Sequence, residues 1–509
     1  MKHTLFVGRM GWLLAWVLLL PLCLQAQSPN SGSLNGKIIE VLNADILTFQ
    51  KTGARSAQKL IGNVRLLHDS TYFYCDSAYL YDFDNSFEAF SHIKADMPDG
   101  SVMTCKRMTY SGNTKILKAF DNIELEDGDA TLRTNRLIYY RDKNYGYYSG
   151  GGELQDNKNL LTSEKGFYYP DEDMAYFKGR VELVNEDYTL STDTLGYNTQ
   201  TETARFMTYT RIKSDDSEII TYDGEYDTRN DAIRLFDQAQ VKDDEYELKG
   251  DSLFYDNARN VGIAQGNVTL DETEGDMTVS GGYAEFDRKN HSSFVTRNAV
   301  ATQSFDDDTL YILADTLFSF EDTVADTRTF IAYHNVIVYM NDMQGRADSL
   351  VYHYNDSIIE LFNSPILWSD ESQLTGDTIR IWMRNKEVDS MSVKYNGFLV
   401  SQEDTVGFNQ VKGKRLEAKF EDSQIRWMHV IGNSENIYFT KDEEDKYQGM
   451  NQAQSQEMIV YLKDNKTEKV VFLKQPEGVY KPFHEIVFQT NELDGMKWRV
   501  DERPEKPSF

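Results

Sequence analysis

An all-β fold built from one repeated unit is expected from three observations. The first is a short phrase that returns thirteen times. Its third anchor position falls at 78, 108, 137, 166, 195, 225, 253, 284, 317, 350, 379, 416 and 458. Most steps are 28 to 33 residues and the last two widen to 37 and 42, which is the signature of units that stack rather than fold alone. The second is composition. Of 509 residues 13% are aromatic, with 31 Tyr and 27 Phe and only 9 Pro, the balance that fits a pleated, half-buried surface. The third is a period of two within each phrase and no sustained helical period, so helix is expected only as short pieces at the ends.

Residues 1–26 precede the repeats. Lys2 and Arg9 give a basic start, Trp12 to Leu24 an apolar run, and Leu24-Gln25-Ala26 a small-residue cleavage site. The run is too short for a membrane span and reads as a secretory signal peptide. Lipid attachment at Cys23 is disfavoured by Leu22, where such a site takes a small residue. Without these residues the chain carries 51 basic against 82 acidic side chains, a net of −31. That excludes nucleic-acid binding and polybasic membrane docking. The acidity is read as solubility and protection against edge-to-edge aggregation.

Residues 27–385 carry the regular repeats. Each opens with an anchor strand of alternating faces; in Gly250-Asp251-Ser252-Leu253-Phe254-Tyr255, Leu253 and Tyr255 share one face. A polar turn such as Asp256-Asn257-Ala258-Arg259-Asn260 follows. A second strand then opens on Gly or Asn: Gly62-Asn63-Val64, Asp121-Asn122-Ile123, Gly179-Arg180-Val181, Gly266-Asn267-Val268, Arg297-Asn298-Ala299, His334-Asn335-Val336. These dipeptides predict a bend with positive φ. Residues 386–482 are further, more widely spaced β repeats and a cap, and 483–509, with Pro504 and Pro507, a terminal tail.

Cys75 and Cys105 occupy equivalent positions in neighbouring units. A parallel coil would stack them about 4.8 Å apart; out-and-back strand pairs would hold them roughly 9.6 Å apart, too far for a disulfide. They are read as small buried hydrophobes.

The sequence carries no complete catalytic motif. Gly250-Asp251-Ser252-Leu253 spells a hydrolase signature, yet none of the eight His has Asp three residues before it, so Ser252 lacks a recognisable base pair of partners. The phrase recurs with Thr and with Ala, as at Ala314-Asp315-Thr316-Leu317, which makes it a repeat position. The recurring Asp at 76, 193, 251, 315, 348 and 377 is read as a corner acceptor for backbone N–H groups rather than a metal ladder. No metal, nucleotide or cofactor motif is present, and the chain reads as a non-enzyme.

Lys249 to Asp256 leading into Ala264-Gln265-Gly266-Asn267-Val268-Thr269-Leu270 carries a family resemblance. The pattern over residues about 36–480 resembles the OstA-like family, the periplasmic lipopolysaccharide-transport bridges, also known as organic-solvent-tolerance N-terminal domains. The resemblance implies an elongated, V-shaped β-jellyroll trough of mainly antiparallel strands. It implies a periplasmic protein, associated with outer-membrane assembly, that shelters lipopolysaccharide acyl chains. It also implies end strands that join inner- and outer-membrane transport components, or further copies, edge to edge. The chain is longer than the simplest members and lacks a C-terminal membrane barrel. The lipid-facing residues expected on this basis are Leu80, Met108, Leu137, Leu195, Leu253, Leu317, Leu350 and Ile379. The alternative functions are a secreted β-repeat adhesin or scaffold without lipid ligand, and the soluble domain of an outer-membrane translocon. A parallel β-helix carbohydrate enzyme would need carboxylates on adjacent rungs, which the sequence does not supply.

Overall fold

The computed structural model describes residues 37–508, except 53–54, 129, 245, 273–276, 305–307, 385–386, 404–406, 422–423, 443, 445, 464–465 and 488–490. The expected signal peptide lies outside the described residues. Those described form thirty-four strands, and all described pairings are antiparallel between chain neighbours or near neighbours. Helix is limited to three-residue 3-10 turns such as Arg141–Lys143, Pro170–Glu172, Phe483–Glu485 and Val500–Glu502. No helix among the described residues is long and apolar enough to cross a membrane. The chain divides into two compact units, one ending at Gly262 and one running from Ile263 to Phe509, a division inside the expected 27–385 region.

Each long strand has two arms. Where the sequence placed a bend, two successive residues take positive φ: Gly62-Asn63, Asp121-Asn122, Gly179-Arg180, Gly266-Asn267, Arg297-Asn298 and His334-Asn335. Gly432-Asn433 is a further Gly-Asn bend, and Ser91-His92, Asp237-Gln238 and Tyr395-Asn396 do the same without a Gly-Asn signal. The paired register slips at each bend, for example between Ile61 and Val64 and between Phe90 and Ile93, as at a β-bulge that re-aims a strand. In four places the two arms fall into separate strands instead: Thr203–Phe206 and Thr210–Ser214, Ser217–Thr221 and Asp223–Asp227, Ile358–Phe362 and Ile366–Ser369, and Ser372–Thr375 and Thr378–Arg384. The wider repeat spacing after 379 comes from longer strands, among them Glu387–Glu403, Gln424–Lys441 and Tyr447–Lys463 at 17, 18 and 17 residues.

The recurring Asp residues work at these bends, but through a different partner from the one expected. Asp315 and Asp377 accept from the side-chain amides of Asn335 and Asn396, at 2.9 and 3.1 Å. Asp76 and Asp348 face the imidazoles of His92 and His334 at 2.7 and 2.9 Å. The donor is thus a bend side chain on the neighbouring strand rather than a backbone N–H. A backbone in left-handed conformation points its own side chain along the spine, where the anchor carboxylate can reach it.

Cys75 and Cys105 are free and buried. They sit on alternate strands, Thr71–Tyr81 and Val102–Ser111, with Ser86–Asp96 between, so the out-and-back arrangement holds. Burial pushes their thiols up to about 12 and about 11.

In the second unit the C-terminal segment lies across the sheet. Gln410 clamps it at two points, donating to the Asn491 carbonyl and accepting from the Leu493 N–H. Six residues on, Gln373 repeats the clamp with the Lys497 carbonyl and the Arg499 N–H. Gln344 then accepts from Arg503. Ile486 and Leu493 bury against Phe398, Val400, Ile437, Phe439 and Met450, with Met496 and Trp498 packed alongside.

Candidate functional site

The anchor strands bring their repeated residues into register. In the first unit one cross-strand row runs Leu60, Ala78, Ala89, Met108, Ala119, Leu137, Tyr148. It continues Gly166, Phe177, Leu195, Phe206, Gly224, Leu235, Leu253. In the second unit the row is Ala284, Val295, Leu317, Ala332, Leu350, Leu361, Ile379, Val393, Leu416, Val430, Met458. Seven of the eight expected lipid-facing residues stand in this row. Leu80 stands two residues further along, in the neighbouring row with Phe87 and Tyr110. All eight are at most 7% exposed.

A second inward row was not named from the sequence. On the other arm the register aligns Leu66, Phe73, Ala95, Met103, Leu125, Leu132 and Leu154. Leu161, Leu183, Leu190, Ile212, Ile219, Val241 and Leu248 extend it. In the second unit it reads Val279, Ala301, Ile312, Val338, Gly345, Leu367, Leu374, Leu399, Val411 and then Asn436. The signal was the second apolar residue after each bend, as in Val181-Glu182-Leu183.

The two rows meet at the bend. A Cβ on Gly397 would lie 2.0 Å from a methyl of Leu416 on the anchor row, and Gly413 and Val430 repeat the arrangement. Small residues in the crook therefore let the arms close on each other. In the first unit one rung of the crook is filled by an aromatic ring. The Tyr148 ring sits where side chains on Gly152 and Gly166 would be, and its hydroxyl meets Ser163 at 2.6 Å. Nearer the turns, Tyr110, Tyr139, Tyr168, Tyr197, Tyr226 and Tyr255 recur every 29 residues. Tyr139 donates to Asn144 and Tyr226 to Asp231, each at 3.0 Å. Burial pushes Tyr148, Tyr168 and Tyr197 up to about 12.

The second unit is lined differently. Its corresponding row reads Phe286, Ser293, Ser319, Phe330, Tyr352, Ile359, Ile381. Its second inward row keeps Val279, Ile312, Leu374, Leu399 and Val411 half-buried, five of ten, where the first unit keeps Leu125, Leu132, Val241 and Leu248, four of fourteen. The clamped C-terminal segment does not enter this interior: Gln344, Gln373 and Gln410 alternate with Gly345, Leu374 and Val411, and so face the other way. The arrangement offers apolar lining along the strand-stacking direction. Ser252 lies on the face opposite Leu253 in the repeat strand Tyr246–Asp256. Among the described residues no three His, Cys, Asp or Glu side chains are grouped to hold a metal ion.

Residues 36–193 match the family model described as OstA-like protein. Residues 255–387 match the model described as LptA/(LptD N-terminal domain) LPS transport protein. The chain belongs to the OstA-like lipopolysaccharide-transport family. No curated protein matches this OstA-like chain. Among solved structures it is similar to LptH, the LptA-homologous periplasmic component of the lipopolysaccharide transport device from Pseudomonas aeruginosa. That likeness is 18% identical over 21% of this chain and 74% of LptH, with a TM-score of 0.18. It is also similar to the WD40 domain of SCAP from fission yeast, 11% identical over 78% of this chain and 96% of that one, TM-score 0.12. At these TM-scores neither likeness carries an argument; the family rests on the two model matches.

Proposed function

We propose that this OstA-like protein is a periplasmic bridge that binds lipopolysaccharide by its acyl chains on the way to the outer membrane. The observation that carries the reading is the pair of inward aliphatic rows, which run across the strands of each unit with no charged side chain in them. Each methylene buried against such a row contributes about 0.8 kcal/mol. Half-buried Val279, Ile312 and Leu399 are where a chain gains contact without displacing a packed core. Leu317, Leu350 and Ile379 form the opposing wall, and Leu80, Met108, Leu137, Leu195 and Leu253 the wall of the tyrosine-filled unit. The phosphorylated head group stays in solvent, because the exported chain, with 51 basic against 82 acidic side chains, repels it.

Transport components join at the two ends by strand addition. Glu40–Asn43 and Ile46–Thr52 pair on one side only among the described residues, with Arg55–His68. Ile46 and Phe49 there are 53% and 79% exposed. Lys466–Leu473 and Glu477–Pro482 likewise pair only with Tyr447–Lys463. A periplasmic location is supported by the signal peptide expected over residues 1–26.

The test is mass spectrometry of lipid that copurifies with the full chain from its native envelope. Bound lipopolysaccharide, lost from a Val279→Asp, Ile312→Asp variant that keeps its β-sheet circular dichroism, is the expected result. A lipid-free protein that also fails to take up lipopolysaccharide in vitro would leave the secreted scaffold as the better reading.

A further inference from the structure

The outer face of the anchor arms in the second unit carries a cleft of about 390 Å³. The register aligns Trp382, Ser390, Lys419 and Trp427 in one row on successive strands. Their chain neighbours Ile381 and Met428 are buried in the inward rows, so these four face away from the acyl-chain interior. The cleft exists because serine stands between two tryptophans. Ser390 and, one pair further, Ser392 form part of the lining, with the indoles of Trp382 and Trp427 also lining it. Trp427 is 36% exposed, unusual for the largest side chain on a face with no described neighbour over it.

The polar lining is organised. Lys419 donates to Asp389 at 2.6 Å, Ser390 donates to the same carboxylate at 3.1 Å, and the Arg384 guanidinium lies 3.5 Å away. An ammonium has three N–H donors, so Lys419 keeps donors for a ligand after meeting Asp389. Glu417 adds an acceptor on the same wall.

We propose that this cleft binds an uncharged pyranose sugar, its C–H face against the indoles and its hydroxyls on Lys419, Asp389 and Glu417. The volume falls in the range of small-ligand sites that combine aromatic walls with a few convergent polar groups. An indole offers an apolar ring face and a polar tip, which suits a ligand that is itself apolar on one face and wet at its rim. Three carboxylates, Asp356, Asp389 and Glu417, outnumber the two cations, which disfavours a phosphate or a carboxylate ligand. The sugar could be part of the lipopolysaccharide core or of the cell-wall glycan. The inference stands apart from the acyl-chain reading, since the two sites occupy opposite faces of the same strands.

The full chain is titrated, with tryptophan fluorescence and calorimetry as readouts, against two probes. One is a neutral hexose oligosaccharide of the outer core, free of lipid, phosphate and acidic sugars; the other is a chitooligosaccharide, the uncharged N-acetylglucosamine part of the wall glycan. Saturable binding of either, weakened about tenfold or more by Trp427→Ala and by Ser390→Trp, is the expected result. Binding of the first identifies a grip on the cargo's sugars, and of the second a tether to the wall. Trp427→Ala removes a partly exposed ring and leaves the inward rows intact, so circular dichroism and lipid uptake stay at the parent level. No saturation with either probe at millimolar concentrations, or binding indifferent to both substitutions, overturns the proposal.

Discussion

The two units use one repeat to make two interiors. In the unit ending at Gly262, tyrosines at 29-residue steps line the turn side and Tyr148 fills the crook over Gly152 and Gly166. In the unit from Ile263 the corresponding row mixes Phe286, Phe330 and Tyr352 with serine and isoleucine, and five of ten second-row residues stay half-buried, against four of fourteen in the first unit. Backbone geometry is shared: the same two-residue left-handed bend, the same antiparallel register and the same anchor row. What differs is side-chain volume at fixed positions. A repeat can therefore build a tighter stack or a more receptive one without changing its bends, and the second unit leaves the larger share of its lining open to a hydrocarbon tail.

The contrast breaks most easily at its filled crook. Tyr148→Ala should cost about 3–5 kcal/mol of local stability, because it empties a buried ring and strands Ser163. Hydrogen exchange should show the loss concentrated in residues 145–170. Protection unchanged there would mean the ring is not what holds that interior.

A charge placed in each second row should sharpen the contrast next. Leu183→Asp puts a carboxylate at a fully buried position and should unfold its neighbourhood. Ile312→Asp, at a half-buried one, should spare the fold and abolish lipid uptake. Burial of an unpaired charge is the reason for the difference. Equal damage to stability from both, by urea denaturation, would erase the distinction between the units.

Alkali should separate them as well. Tyr148, Tyr168 and Tyr197 hold their protons up to about 12 in the folded chain, against about 10 for an unfolded tyrosine. Their contribution is complete below about pH 10 and is lost as pH rises through 12. The first unit should lose amide protection in that window before the second. Simultaneous loss would show that the hydroxyls do not set its stability.

The smallest effect is expected at a bend. Gly179→Ala forces a Cβ into a φ of +79° and should cost about 1–2 kcal/mol. Asn298→Gly, also at positive φ, should be nearly neutral. A neutral Gly179→Ala, measured by urea denaturation, would mean the bend relaxes.

Much of this was legible in the sequence. The anchors at 108, 137, 195, 253, 317, 350 and 379 all stand in the row that the register builds, because a period of two within a period of 29 fixes both face and strand. The anchor at 225 misses by one, since Gly224 is the row member, where the chain breaks into the short strands Ser217–Thr221 and Asp223–Asp227. Gly-Asn and Asp-Asn dipeptides gave the bends; Ser91-His92 and Tyr395-Asn396 did not, because there the register, not local preference, imposes the left-handed pair. The second inward row needs pairing to be seen, since Leu132 and Leu154 gain meaning only when placed opposite each other. The clamps of Gln373 and Gln410 on residues 491–499 join positions more than 80 apart, and no local pattern announces them.

The central claim is tested most directly by placing a photo-crosslinking residue, in separate variants, at Val279, Ile312 and Leu399 inside the second unit and at Ser252 and Trp427 outside. Irradiation is carried out during lipopolysaccharide transport in native envelopes. Adducts carrying lipopolysaccharide acyl chains at the three inner positions, and none at the outer two, are the expected outcome. Acyl-chain adducts at the outer positions alone, or at no position while transport proceeds, would contradict it.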